Sequence, residues 1–572
     1  MSNDLMTPDL DDTVEPGPSY PQFGTPMVLA GSVLVAASAF LSWSYDREPL
    51  GDVSITGNPA PTQYLALIIG VLGIVLFLGR GPLARFFSWF DETAALRGLG
   101  FGAVAFALAV ILAIFANTSG LINVDPGGWI LLVGSIALAF GAEQLPAGRT
   151  HADPLRSKTS SWTEILAIIA LLTGVLFLAA YALAMEDGYA FLALLAFLGA
   201  ISATLIRGGF FQWLSIATAK HRQVLMLGAV VVAFLFPFTQ DGRDANMTIA
   251  TQIIVFAITA LGLNIVVGLA GLLDLGYIAF LGAGAYVSAL LSGSATSHLG
   301  FQLPFWLTAI IGACVASTLG LIIGTPTLRV SGDYLAIVTL AFGEIFRITV
   351  NNLDGINGPS ITNGPNGVSG IPELNLFGFD FGQPHTLGGF TLTRYANYYF
   401  LLLLLGAFVI LVFTRLNNSR IGRGWVAIRE DERAAEAMGV NVFGLKLFAF
   451  AGGAFLAGLA GTIKAHQDLA ISPDQFVFLE SAFLLAAIVL GGMGTVAGAL
   501  VGATMLKLLP EKLRFLENYR LLMFGILLVL MMRFRPEGLV ASKRRQLEFH
   551  EDDQELAEAI QVEHLETKEA QA

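Results

Sequence analysis

Apolar runs long enough to cross a lipid bilayer recur along almost the whole chain, separated by short polar connections and a few stretches of different character. A membrane-crossing helix needs about 20 mostly apolar residues, each advancing about 1.5 Å through a hydrocarbon core about 30 Å thick. Runs of this kind begin near residues 27, 63, 96, 128, 164, 188, 224, 249, 276, 305, 334, 397, 447, 478, 495 and 520. In lipid, each backbone polar group must find its partner inside the structure, which helices achieve within one segment. The pattern therefore predicts an all-α polytopic transmembrane helix bundle of about 16 hydrophobic segments. The runs at 276, 478 and 495 are short or glycine-broken and are expected to be partial or re-entrant helices.

The polar connections test that count. Lys and Arg concentrate in cytoplasmic loops. With the N-terminus inside and strict alternation through the segments, the inside connections hold 21 basic residues and the outside ones 8. Both termini are then expected in the cytoplasm. The basic stretch 415–446 falls inside and reads as helical. The stretch Asn351–Asn397 falls outside, and its Gly, Asn and Pro residues predict a compact ordered loop. Four regions follow: an acidic, proline-rich, disordered tail over 1–26, a six-span extension over 27–223, a core over 224–545, and an acidic cytoplasmic tail over 546–572.

Composition narrows the chemistry. Hydrophobic residues make up 55% of the chain and charged residues 13%, about half the charged share of soluble domains, which excludes a water-soluble protein. The one cysteine, Cys314, excludes a disulfide framework and cysteine-based metal sites. A net charge of −12 argues against a nucleic-acid partner. The chain contains no phosphate-binding G-x-x-x-x-G-K-[ST] loop, no zinc-spaced histidine pair and no G-x-S-x-G elbow. An enzyme is not expected, nor a metal or cofactor.

Ionisable and amide groups at membrane depth are costly and tend to mark pathways. The first six spans carry almost none, whereas the later spans carry Asn264, Asp274, Glu344 and Arg347. Glu344 and Arg347, three apart, share a helix face and form either a self-neutralising pair or part of a substrate path. Asp274, between Gly271 and Gly276, is placed to cap the following half-helix or to line a cavity. Gly494, Gly498 and Gly502 recur at the four-residue spacing that lets helices approach closely. In the cytoplasmic stretch, Arg429–Gly439 reads as a helix ended by Gly439 as a C-terminal cap. Glu432, Ala434 and Ala435 lie within it, and the alanines leave room for a partner to approach. Spacing alone favours an ordinary amphipathic helix.

From about Asn246 to Arg545, the chain resembles the permease subunit of the high-affinity branched-chain amino-acid ABC importers. The segments that carry the resemblance are Leu261–Gly276, Leu281–Tyr286, Arg329–Leu340, Asn363–Gly370, Arg420–Trp425 leading into Arg429–Gly439, and Leu490–Ala499. Urea and short-chain amide importers share this permease architecture. The resemblance implies that Glu432, Ala434, Ala435 and Gly439 form the coupling helix, patterned acidic-Ala-Ala-x-x-x-Gly, that meets a groove on the ATPase. In this chain Arg433 separates Glu432 from the alanines. It further implies a second homologous permease subunit, two cytoplasmic ATP-binding subunits and a periplasmic substrate-binding protein, all at a bacterial inner membrane. Two other readings stay open at this stage. An ion-coupled secondary transporter predicts several buried carboxylates at mid-membrane depth, and a non-transporting scaffold predicts only recruiting loops.

Overall fold

Each of the sixteen predicted apolar segments is an α-helix in the computed structural model. It describes residues 21–44, 62–80, 90–118, 120–146, 160–185, 187–240, 242–297, 299–327, 333–376, 378–387, 390–514, 519–534 and 537–540. Of the tails expected over 1–26 and 546–572, residues 1–20 and 546–572 lie outside them, as do residues 329–332 of one resembling segment, whereas residues 21–26 belong to a helix rather than to a disordered tail. Among the described residues, 11 helices are long and apolar enough to cross a membrane. Three shorter apolar helices accompany them, including Ile278–Leu291 at one of the three runs expected to be partial, while the run at 478 lies in Pro473–Gly491, which is long enough to cross.

The chain divides into two units, Met1–Gln240 with Lys512–Phe515, and Asp241–Glu511 with Leu516–Ala572. The first unit holds α1 (Pro21–Ser38), α2 (Gln63–Gly79), α3 (Glu92–Thr118), α4 (Pro126–Glu143), α5 (Ser161–Ala184), α6 (Gly188–Arg207), α7 (Phe210–Lys220) and α8 (Arg222–Leu235). The helix α8, read from hydropathy as the head of the core, lies in this unit. Small residues set the helix approaches. A Cβ at Gly31 of α1 would sit 2.5 Å from the backbone nitrogen of Leu138 on α4, and Gly102 of α3 meets Ala200 of α6 as closely. Lipid tails are as apolar as leucine, so such close contact, rather than hydrophobic exclusion, drives association. Glu164 ties α5 to the α7–α8 turn, accepting from Lys220 Nζ at 2.7 Å and His221 Nε2 at 2.9 Å.

The second unit is built around α9 (Asp244–Asn264), whose apolar span is 83% buried, the highest value among the spanning helices. A π-helical turn, Ile265–Leu269, ends it, and a non-helical break leads to α10 (Ile278–Leu291). Then come α11 (Phe305–Thr327), α12 (Asp333–Asn352), α13 (Arg394–Asn417), α14 (Arg420–Glu430), α15 (Glu432–Ala437), α16 (Val442–Asp468), α17 (Phe478–Gly491), α18 (Val496–Lys512) and α19 (Arg520–Phe534). The 27-residue α16, about 40 Å long, packs along α10 and α11. Gly458 makes this possible: a Cβ there would lie 2.5 Å from the Ala316 methyl of α11, and its backbone already touches Gly284 of α10. The glycine repeat after α17 acts likewise, with Gly498 against Gly491 and Gly502 against Ala487.

The loop between α12 and α13 is ordered by short pairings, as its turn residues predict. Strand β1 (Val368–Ser369) lies in the loop, as do the pair β2 (Asn375–Leu376) and β3 (Phe379–Asp380) and the pair β4 (His385–Leu387) and β5 (Phe390–Leu392). Strand β1 pairs antiparallel with β6 (Ala470–Ile471), just past the end of α16. Arg394 reinforces this anchor. Its Nε donates to Glu373 at 2.5 Å, and its Nη2 donates to the Gln467 carbonyl at 2.7 Å, satisfying an open end of α16.

Candidate functional site

Breaking a helix inside a membrane frees backbone groups that lipid cannot satisfy. The break after α9 is stable because side chains of α12, α14 and α17 bond to it, while its own Asn264 and Tyr277 reach out to two further elements. At its start, Asn264 Oδ1 accepts from Gly494 N at 2.8 Å and Asn264 Nδ2 donates to the Thr495 carbonyl at 3.0 Å, joining α9 to the turn before α18. Arg429, near the end of α14, donates Nη1 to the Gly268 carbonyl inside the π-turn at 3.1 Å. Further along, Thr339 Oγ1 of α12 accepts from Leu275 N at 3.0 Å, and Ser481 Oγ of α17 accepts from Ile278 N at 3.0 Å. Tyr277 Oη donates to the Gly453 carbonyl of α16 at 2.6 Å.

Two glycines are required at this crossing. A Cβ at Gly268 would collide with Asn264 Oδ1. Gly271 has φ +72°, and a Cβ there would lie 2.5 Å from Arg429 Cγ. Asp274 is buried, with Oδ1 accepting from Gly276 N at 2.9 Å. It thus shapes the turn before α10, while the first helical nitrogen is bonded by Ser481 instead. Asn264 and Asp274 therefore sit at the two ends of one break. Glu344 and Arg347 belong elsewhere. They pair with each other, Arg347 Nε to Glu344 Oε1 at 3.0 Å, and Arg347 Nη1 lies 3.8 Å from Asp474 in the turn Pro473–Phe476.

The stretch Arg429–Gly439, expected as one helix, is two. Asp431 adopts an extended conformation, φ −153°, ending α14 and starting α15. Its Oδ1 accepts from Arg433 N at 2.9 Å and Ala434 N at 3.0 Å, and these bonds to otherwise free amides make the break favourable. The far end follows the sequence reading. Gly439 has φ +81°, its N–H bonds the Glu436 carbonyl at 2.9 Å, and the next N–H, from Val440, bonds the Ala435 carbonyl at 3.1 Å. These two bonds form a Schellman cap. Glu432 pairs with Lys446 Nζ at 2.6 Å, fixing α15 to the start of α16. Ala434 is exposed and Ala435 is buried within the chain, so only Ala434 offers room to a partner. Met438, not singled out by the sequence, is 83% exposed at the tip.

Sequence reading also missed a cavity of about 210 Å³ near the opposite end of α16, bordered by α9, α10, α17 and α18. Lys464, Asp468, Glu480 and Lys507 line it. Each was a lone charge near a span end, and only Lys464 and Asp468, four apart on one helix, gave a sequence signal.

The described residues thus form a multi-pass bundle of apolar helices whose central helix is broken and bonded by Arg429 of α14. Residues 246–532 match the sequence profile of the family described as branched-chain amino acid transport system / permease component, and the chain belongs to that family. It is 40% identical over 345 residues to the high-affinity branched-chain amino acid transport system permease protein LivM of Salmonella typhimurium, covering 58% of this chain and 77% of that relative. The LivM protein of Escherichia coli gives the same identity and coverage. A more distant similarity, 27% over 283 residues, links 48% of this chain to 78% of the ribose import permease protein RbsC of Haemophilus influenzae. No solved structure shows significant similarity to the chain.

Proposed function

We propose that this chain is the translocating subunit of an ATP-binding-cassette importer that carries branched-chain amino acids inward by alternating access. Residues 224–545 act as the permease core, residues 27–223 as a membrane-embedded extension, and both termini lie in the cytoplasm. A second homologous permease subunit completes the path, two cytoplasmic ATP-binding subunits supply the work, and a periplasmic binding protein delivers substrate to the side bearing the loop Asn351–Asn397. Hydrolysis takes place on those partners.

The Arg429–Gly268 hydrogen bond carries this reading. ATP-driven closure must move something rigid that reaches the membrane, and α15 is a short helix capped at both ends. It presents Ala434 and Met438, and an exposed methionine suits a groove on a partner. From α15, displacement passes through α14 to Arg429, then to Gly268 in the π-turn, and through Asn264 to the turn before α18. A broken helix has two arrangements available to it more readily than a continuous one.

Reconstituted vesicles test the reading. Leucine uptake that requires both ATP and the added binding protein supports the importer. Uptake driven by an ion gradient alone supports a secondary transporter, and absence of uptake under every condition refutes transport.

A further inference from the structure

Seven charged or amide side chains line the cavity bordered by α9, α10, α16, α17 and α18, and their arrangement is unusual for a packing defect. Lys507 Nζ donates to Glu480 Oε2 at 2.9 Å and stands 4.5 Å above the Phe256 ring. Lys464 pairs with Asp468 and donates to Gln475 Oε1 at 3.2 Å. The two cations and two carboxylates carry no net charge together, which matches a solute that bears one charge of each sign. Gln467, 1% exposed, donates Nε2 to Thr251 Oγ1 at 2.8 Å, while its Oε1 is buried with no hydrogen-bond partner among the described residues. A buried acceptor left unmade is costly, and natural structures keep one only for a reason. Apolar surface lies beside these groups, from Val255, Phe256, Leu281 and Leu484.

We propose that this cavity is a transit site for a zwitterionic amino acid with an apolar side chain, a proposal that rests on the importer reading above. The zwitterion inserts into the Lys507–Glu480 pair. Its carboxylate takes Lys507 Nζ, its ammonium group donates to Glu480 and to Gln467 Oε1, and its side chain lies on Phe256 and Leu484. Both ends of the solute bring the charge that the opened pair loses, so the site stays neutral throughout. At about 210 Å³, the cavity is below the roughly 300–1,000 Å³ of drug-sized pockets and suits a solute of amino-acid size.

The test uses the complete importer in proteoliposomes and a leucine analogue carrying a diazirine in its side chain. After irradiation, adducts mapped by mass spectrometry should fall on residues of α9, α17 and α18 lining the cavity and should vanish with excess unlabelled leucine. Uptake of the analogue without competed adducts there overturns the site and leaves the importer reading standing. Absence of uptake overturns the importer reading, and the adduct map still decides the site. Gln467→Leu should cut labelling about tenfold or more, the loss expected for a hydrogen bond to a charged group, whereas Gln467→Glu should retain it. A merely structural Gln467, acting through its bond to Thr251, predicts the reverse: Gln467→Leu lowers the melting temperature and labels like the parent. Lys507→Met gives an independent reading and should also lose labelling; unchanged labelling in both variants refutes the proposal.

Discussion

Replacing Gly439 with valine isolates the contribution of the α15 cap. The site is open, with nothing within 4 Å of the position a Cβ would take, so a side chain there meets no steric obstacle. What changes is the backbone: φ is +81°, a left-handed conformation that costs an L-residue about 1–2 kcal/mol, and more when Cβ is branched. The six residues of α15 form too few internal hydrogen bonds to be stable alone, so the helix depends on its caps. Losing about 1.4 kcal/mol at the Schellman end lowers the equilibrium constant for forming the helix about tenfold. ATP-driven leucine uptake by the reconstituted importer should therefore fall, by up to about tenfold, with Gly439→Val, while membrane insertion and yield stay unchanged. Asn tolerates this backbone region, so the expected order of uptake is Gly, then Asn, then Ala, then Val. Full uptake by Gly439→Val, or equal loss with Asn and Val, would refute the cap argument.

Arg429→Met removes the bond to the Gly268 carbonyl and should uncouple the system: more ATP hydrolysed per leucine carried, severalfold, measured on the same vesicles. Asn264→Leu strands the Gly494 N–H, worth about 1–3 kcal/mol when buried and unpaired, while the Thr495 carbonyl keeps its bond from Ala499 N, and should lower the melting temperature in detergent by a few degrees. Glu344→Gln leaves Arg347 beside Asp474 and should change uptake less than twofold, since that pair stands apart from the break.

The spans were legible because apolar length in lipid has few structural outcomes, and all sixteen runs are helices. Gly439 was legible because a cap is local: a glycine just after a helical run signals a left-handed residue. The division at Asp431 was harder to see, since an aspartate inside Arg-Glu-Asp-Glu-Arg looks like another solvated charge until its carboxylate is found on Arg433 N and Ala434 N. The partners of the break were out of reach of pattern reading. Asn264 meets Gly494 across 230 residues, and Ser481 and Thr339 are hydroxyls that any membrane helix carries. The cavity escaped for the same reason, because its ion pair Lys507–Glu480 joins two helices whose charges look isolated along the chain.

The central claim, that α15 is the cytoplasmic contact through which ATPase subunits drive the broken helix, is tested most directly by a single reactive cysteine at its tip. With Cys314 replaced by serine, Met438→Cys is to be labelled with a membrane-impermeant maleimide in right-side-out and inside-out vesicles, with and without the ATPase subunits. The account predicts labelling only in inside-out vesicles, protection when the ATPase is present, and a cross-link from this position to that subunit. Labelling from the outside, or labelling that the ATPase leaves unchanged with no cross-link formed, would contradict it.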